Sequence, residues 1–246
     1  MARTLLVLAT YNEAENLRLI VEAVLALAIP SLDILVVDDN SPDGTGDIAD
    51  ELSAEHPELS VVHRKGKLGL GSAQTGGMEI AQLHHYDHVV TMDSDFSHNP
   101  KYLPQLIAGM DTHDLVIGSR YVAGGGATSD WGTIRRLMSW GANTLVRLTL
   151  GLRVRDCSSG FKCYRVGTLC RIDLSQIVAK GYAFQEEMVY RFQLINASIG
   201  EVPITFENRK RGETKMSLRE IAGLFFTVFR LRWRRLMCRL SGHGGM

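Results

Sequence analysis

Apolar residues in the first two thirds of the chain follow two different periods. Short aliphatic runs at Thr4–Ala9, Asp33–Asp38, Ser60–His63, His88–Met92 and Leu115–Gly118 read as strands. Longer segments of helical spacing separate them. In Asn12–Leu27, Leu17, Ile20, Val21, Val24 and Leu25 recur at i, i+3, i+4, i+7 and i+8, and Asn12 stands where a helix cap is expected. The same spacing predicts helices over Gly46–His56, Leu70–Leu83, Pro100–Met110, Ile134–Leu150 and Gln185–Ala197. Strand and helix in alternation predict an α/β fold, a mainly parallel sheet with helices on both faces. No internal repeat or low-complexity tract interrupts the pattern.

The last periodic segment, Ser217 to Leu240, changes face along its length. Leu218, Ile221, Leu224, Phe225 and Val228 share one side of a helix, whereas Trp233, Leu236, Met237 and Leu240 share another, rotated by roughly 100°. This predicts a bend or break near Arg230, with the first half packed on the domain. The second half carries Arg230, Arg232, Arg234, Arg235 and Arg239 and no acidic residue, the composition of a basic helix lying on a membrane surface. Packing on the domain or on a partner subunit is the alternative. The expected division is therefore 1–216 as the main domain and 217–246 as an amphipathic basic helix and tail.

Composition narrows the class. With 246 residues, of which 45% are apolar and 22% charged, the chain can bury a large core, which excludes disorder as its main state. Lys plus Arg equals Asp plus Glu at 27 each, so no global basic field exists for nucleic acid and electrostatic function must be local. Cys157, Cys163, Cys170 and Cys238 have no C-x-x-C spacing, and free thiols of a reducing compartment are expected. About five apolar residues precede Thr10-Tyr11-Asn12-Glu13, too few for a signal-peptide core, so a cytoplasmic chain is expected. The longest nearly apolar run, Ile221 to Phe229, is nine residues, about half a membrane span.

In open α/β sheets ligands bind beyond the carboxyl ends of the strands. Here those ends are polar: Thr10-Tyr11-Asn12-Glu13, Asp38-Asp39-Asn40-Ser41, Asp93-Ser94-Asp95 and Ser119-Arg120. If the chain stays extended through Asp93 and Asp95, both carboxylates project from one face, and their repulsion is relieved by a hard divalent cation such as Mg²⁺ or Mn²⁺. A solvated turn that caps the next helix is the other reading of an isolated D-x-D. Asp38 and Asp39 close the second strand opposite the Tyr11 and Glu13 turn; turn capping explains one of them, and having two suggests a pocket for a nucleoside, with a purely structural turn as the alternative. Arg120, Arg135, Arg136, Arg209, Lys210, Arg211 and Lys215 form a basic set that, if it converges on the carboxylates, offsets anionic substrates. The P-loop is absent, and Gly69-Leu70-Gly71-Ser72 lacks the rest of a dinucleotide fingerprint.

The segments 9–13 (Ala-Thr-Tyr-Asn-Glu), 36–45, 93–100 (Asp-Ser-Asp-Phe-Ser-His-Asn-Pro), 118–121, 158–161, 181–188 and 211–215 (Arg-Gly-Glu-Thr-Lys) resemble, in order and spacing, those of the dolichyl-phosphate mannosyltransferases, also called polyprenol monophosphomannose synthases. The likeness runs from about residue 4 to 230. It implies a GT-A fold and transfer of mannose from GDP-mannose to a polyprenyl monophosphate with inversion, on the cytoplasmic face of a membrane. It further implies a nucleoside pocket at Ala9, Tyr11, Glu13, Val37 and Asp39, and a metal and diphosphate motif at Asp93, Ser94 and Asp95. Arg120, Arg135 and Ser139 would meet the lipid phosphate, and Arg211 with Lys215 would close over the diphosphate. Ala9 stands where proline is usual, and Ser97 where some members carry a metal-binding Gln, which leaves coordination beyond Asp95 open. A requirement for small membrane subunits is likewise open. The rival expectations are a transferase that uses a UDP-sugar and a non-catalytic nucleotide-sugar-binding subunit.

Overall fold

The computed structural model describes residues 2–128, 131–179, 181, 183–208, 223 and 226–233. In chain order the elements are β1 (Thr4–Thr10), α1 (Leu17–Leu25), β2 (Leu32–Asp38), α2 (Thr45–Glu55), β3 (Leu59–His63), α3 (Leu70–Leu83), β4 (His88–Asp93), α4 (Leu103–Ala108), β5 (Leu115–Ser119) and β6 (Gly126–Ala127). They continue with α5 (Thr133–Leu150), β7 (Lys162–Arg165), α6 (Val166–Leu169), α7 (Phe184–Leu194), β8 (Ile199–Pro203) and β9 (Thr205–Phe206).

Apolar runs without alternation form strands that are covered on both faces. In β1 and β2, Leu6, Leu8, Ile34 and Val36 enter one core layer, with α1, α2 and α4. Leu5, Val7, Leu35 and Val37 point the other way, to the layer of α3, α5, α6 and α7. The main sheet has the order β3-β2-β1-β4-β7-β5-β8, and β6 pairs with β9 in a separate ribbon. All strands of the main sheet are parallel neighbours except β7, which runs antiparallel between β4 and β5.

Several expectations change here. Asn12 does not cap α1: the helix begins at Leu17 after Asn16, while Asn12 adopts a left-handed φ of 56° in the turn that leaves β1. The predicted helix over Pro100–Met110 is split into a 3₁₀ turn, α4 and a second 3₁₀ turn. The backbone is helical without interruption from 226 to 233, so no break occurs at Arg230. Val228 and Leu231 bury in the core layer of α5 and α7 while Phe226, Phe229 and Trp233 face outward, and an unbroken helix thus presents apolar residues on two sides. The remainder of the expected 217–246 unit lies outside the described residues.

Candidate active site

The register of the sheet brings the acidic strand ends level with one another. Ala9 pairs with Val37 on one side and with Asp93 on the other, at the point where the strand order reverses. Asp38 shapes the turn after β2, accepting from Thr10 Oγ1 at 3.0 Å and from the Ser41 N–H at 2.9 Å. Asp39 holds a different segment. It pairs with Arg64 and accepts from the backbone N–H of Leu68 (3.1 Å) and Gly69 (3.0 Å), where a φ of 99° at Gly69 lets the chain turn into α3. That segment lays Lys67 Nζ over the Tyr11 ring, 4.0 Å from its centroid. Glu13 is buried and accepts from Asn16 Nδ2 at 2.8 Å, while its N–H donates to Thr45 Oγ1 at 2.9 Å. The residues expected to bound a nucleoside therefore assemble at one edge, with Asp39 committed to positioning the segment that lays Lys67 over Tyr11.

β4 ends at Asp93, and residues 94–97 bend, so the extended-strand argument for the two carboxylates does not apply. A neighbouring histidine supports the turn instead. The Asp93 N–H donates to His98 Nδ1 at 3.1 Å, which fixes the proton of this imidazole on Nε2. His98 is buried, stacked on Phe161 at 5.2 Å, and burial lowers its pKa, so it stays neutral. Asp95 is buried with Ser94, and its Oδ1 accepts from the Ser97 N–H at 2.9 Å. Gly160 approaches closely: a Cβ there would stand 3.3 Å from Asp93 Oδ1 and from His98 Cε1. Among the described residues no group of three or more His, Cys, Asp or Glu gathers as a metal site. A carboxylate pair with oxygen donors alone suits a hard cation that keeps positions for substrate phosphates.

The basic side is built around a buried ion pair. Arg120 Nε and Nη2 donate to the two oxygens of Asp156 at 2.8 and 2.9 Å, and Nη2 also donates to Ser158 Oγ at 2.7 Å. Burial opposes ionisation of both groups, yet their attraction prevails, holding Asp156 below the usual carboxylate range and Arg120 above its own. Nη1 of Arg120 has no hydrogen-bond partner among the described residues. Tyr121 OH and Ser139 Oγ are 2.8 Å apart, which joins the end of β5 to α5. Arg135 lies 4.2 Å over the Trp131 ring and donates to Asn208 Oδ1 at 3.1 Å. Phe206 links these groups, packing edge-on against both His98 and Trp131 at 5.4 Å and lying under Arg120 at 5.5 Å. A cleft of about 270 Å³ opens here, lined by Arg120, Tyr121, Gly126, Ala127, Trp131, Arg136 and Trp140, with no carboxylate among them. Arg211 and Lys215 lie outside the described residues.

A buried polar chain joins β7 to α7 and α3 on one face of the sheet. Lys162, on β7, donates to Ser159 O and to Gln185 Oε1, and Gln185 Nε2 donates to Gln74 Oε1 at 2.8 Å. Burial draws Lys162 down to about 8 and pushes Glu186 up to about 7. Glu187, in the first turn of α7, has a structural task, accepting from the N–H groups of Val178 and Ala179 and from Arg191 one turn further along. Sequence reading missed Asp156, Arg64, Lys67, Trp131 and Phe206. Only Asp156 carried a local signal, an acid two residues before the Ser158-Ser159-Gly160 turn.

An open sheet that gathers carboxylates at its reversal point and faces them with a fixed arginine has the architecture of the GT-A glycosyltransferases. Glucosyl-3-phosphoglycerate synthase from Mycobacterium tuberculosis, solved with Mn²⁺ and UDP-glucose, shares this fold at a TM-score of 0.66 and 19% identity, over 94% of this chain and 79% of that one. Residues 5–171 match glycosyl transferase family 2, and the chain belongs to that family. Undecaprenyl-phosphate mannosyltransferase of Micrococcus luteus is 45% identical over 243 residues, spanning 97% of this chain and 99% of its own. Polyprenol monophosphomannose synthase of Mycolicibacterium smegmatis is 45% identical over 228 residues, 92% of this chain and 85% of its own.

Proposed function

We propose that this glycosyltransferase moves mannose from GDP-mannose to a polyprenyl monophosphate with inversion, yielding polyprenyl phosphate mannose and GDP. The names of the two full-length relatives support the sugar and the acceptor class. The observation that carries the acceptor assignment is the cleft beside Arg120, which combines Arg120 and Arg136 with aromatic walls and no carboxylate; Arg135, stacked on the lining Trp131, and Ser139, hydrogen-bonded to the lining Tyr121, border it. Such a lining matches an anionic head group on an apolar tail.

A phosphate monoester has its second pKa near about 6, so the acceptor is largely dianionic at neutral pH and needs no general base. The reaction then rests on position and charge. Arg120, held by Asp156, and Arg135 hold the phosphate, with the Ser139 hydroxyl as a further donor, so that its oxygen meets the anomeric carbon in line. Tyr11, Glu13, Ala9, Val37 and Asp39 bound the nucleoside. Asp93 and Asp95, flanking Ser94, would hold the divalent cation, Mg²⁺ or Mn²⁺, and Arg211 with Lys215 would close over the diphosphate. When bound, the cation offsets the charge of the departing diphosphate. The synthase that shares this fold has been solved with Mn²⁺ or Mg²⁺ and a uridine nucleotide, which supports a divalent cation in general. Residues 1–216 form the catalytic unit in this reading, and 217–246 serve the membrane surface where the lipid resides.

Incubation with radiolabelled GDP-mannose and a short polyprenyl phosphate, followed by organic extraction, tests the proposal. Label is expected in the organic phase and should be chased by unlabelled GDP-mannose. Label from a UDP-sugar alone would replace the donor, and no turnover with any donor would point to a binding subunit.

A further inference from the structure

The loop 64–69, between β3 and α3, is pinned at both ends to the turn after β2. Arg64 donates its N–H to the Asp38 carbonyl at 2.8 Å, and its guanidinium reaches Asp39, Ser72 Oγ at 2.7 Å and the Gly69 carbonyl at 3.0 Å. At the other end the N–H groups of Leu68 and Gly69 donate to Asp39 Oδ2. A single buried carboxylate thus closes the loop.

Lys67 stands between these anchors and has a different environment. It is exposed, and among the described residues its ammonium makes no ion pair or hydrogen bond; what it meets is the Tyr11 ring, 4.0 Å from the centroid. An ammonium set over an aromatic face keeps N–H donors that point away from the ring. The clamp therefore delivers a cation with donors to spare onto the aromatic side chain that follows β1.

The carboxylates of the same edge are engaged by their own chain. Asp39 Oδ1 accepts from Arg64 and Oδ2 from two backbone N–H groups. Asp38 accepts from Thr10 and Ser41, and Asp43 from Ala14 and Thr45. A base placed here thus meets a flat ring and the donors of Lys67, and it is selected by the acceptors it carries. Guanine presents two on one edge, O6 and N7, a pair that lysine can meet; adenine sets an amine beside its N7, and a pyrimidine such as uracil offers a single carbonyl.

We infer that Lys67 is a specificity residue for the donor, its ammonium contacting the O6 and N7 edge of guanine, with Asp39 and Arg64 as positioning residues that act through the loop. This rests on the GDP-mannose reading above and names the group that separates guanine from uracil.

Calorimetric titration of the full chain with GDP, UDP and 7-deaza-GDP, which has a C–H in place of N7, tests the contact in the presence of Mg²⁺ and without turnover. Lys67→Met keeps an unbranched apolar stem against Tyr11 and removes the charge. It should raise Kd for GDP about tenfold, as expected for loss of a charged hydrogen bond, and Kd for UDP and 7-deaza-GDP at most about threefold. In turnover, KM for GDP-mannose should rise while kcat stays within about twofold. Arg64→Gln should reduce the GDP-over-UDP preference as Lys67→Met does, and the double variant should reduce it no further. An unchanged GDP preference in Lys67→Met, with wild type preferring GDP, would overturn the inference alone. An equal loss for all three nucleotides would overturn it too, by placing the ammonium on the phosphates. Wild type that binds UDP as tightly as GDP would instead remove the GDP-mannose reading, and the inference with it.

Discussion

Asp95 is the residue on which donor binding is expected to depend most. It is nearly buried but belongs to a turn, with one oxygen on the Ser97 N–H, so Asp95→Asn keeps the turn and removes the charge. The variant should lose at least about 100-fold in kcat/KM, in line with removal of a charged group from a transition-state site, with a melting temperature within a few degrees of wild type. Full activity, or activity in excess chelator, would contradict the metal reading. Asp156 is different because it is the buried partner of Arg120, and loss of one member of such a pair costs about 3–5 kcal/mol. Asp156→Ala should lower the urea midpoint accordingly at pH 7. The folded pKa of Asp156 lies below its unfolded value, so its contribution is complete above about pH 4 and fades as pH falls through the folded value. Wild type and variant should converge in acid; equal midpoints at pH 7 would remove the pair from the account. Sequence pointed to Arg120 because it follows a buried strand, but its partner lies 36 residues away on a turn that no periodicity announces.

Among the elements, β1, β2, β4 and β5 were legible because each is a dense apolar run inside the sheet, and the edge strand β3 because of its short apolar core. α3 was predicted with its observed bounds, and α5 to within one residue. β7 was not legible. Its sequence, Lys-Cys-Tyr-Arg, lacks the apolar density of a central strand, since Lys162 is buried by a hydrogen-bonded polar chain and not by hydrophobic packing. β8 has a similar fault, a Gly and a Glu among five residues. α5 shows how an element can position chemistry through a single polar side chain. Asn143 donates to Arg155 O at 2.6 Å and accepts from the Cys157 N–H at 3.0 Å, which clamps the turn that presents Asp156. Asn143→Leu leaves the buried Cys157 N–H unpaired, at about 1–3 kcal/mol, and removes the partner of the partly buried Arg155 carbonyl. Its unfolding midpoint should drop, and KM for the acceptor should rise more than kcat falls. An unchanged acceptor KM would show that α5 does not hold the arginine in place.

At the scale of the whole molecule, equal numbers of acidic and basic residues conceal a local bias, although Arg64 and Lys67 stand at the acidic edge and Asp156 under Arg120. Carboxylates collect at the reversal point of the sheet, and arginines collect along α5 and the cleft beside it. Net charge alone could say only that electrostatic function is local; the fold supplies the two poles between which an anionic donor and an anionic acceptor can be brought together. The central claim is that this arrangement uses the acceptor's own phosphate as nucleophile, without a base. Its most direct measurement is mannose transfer from GDP-mannose to matched acceptors of one chain length, a polyprenyl monophosphate and the corresponding polyprenol, under identical conditions. Turnover is expected with the phosphate and not with the alcohol, because nothing is assigned to deprotonate a hydroxyl. Comparable rates for the two would contradict the account.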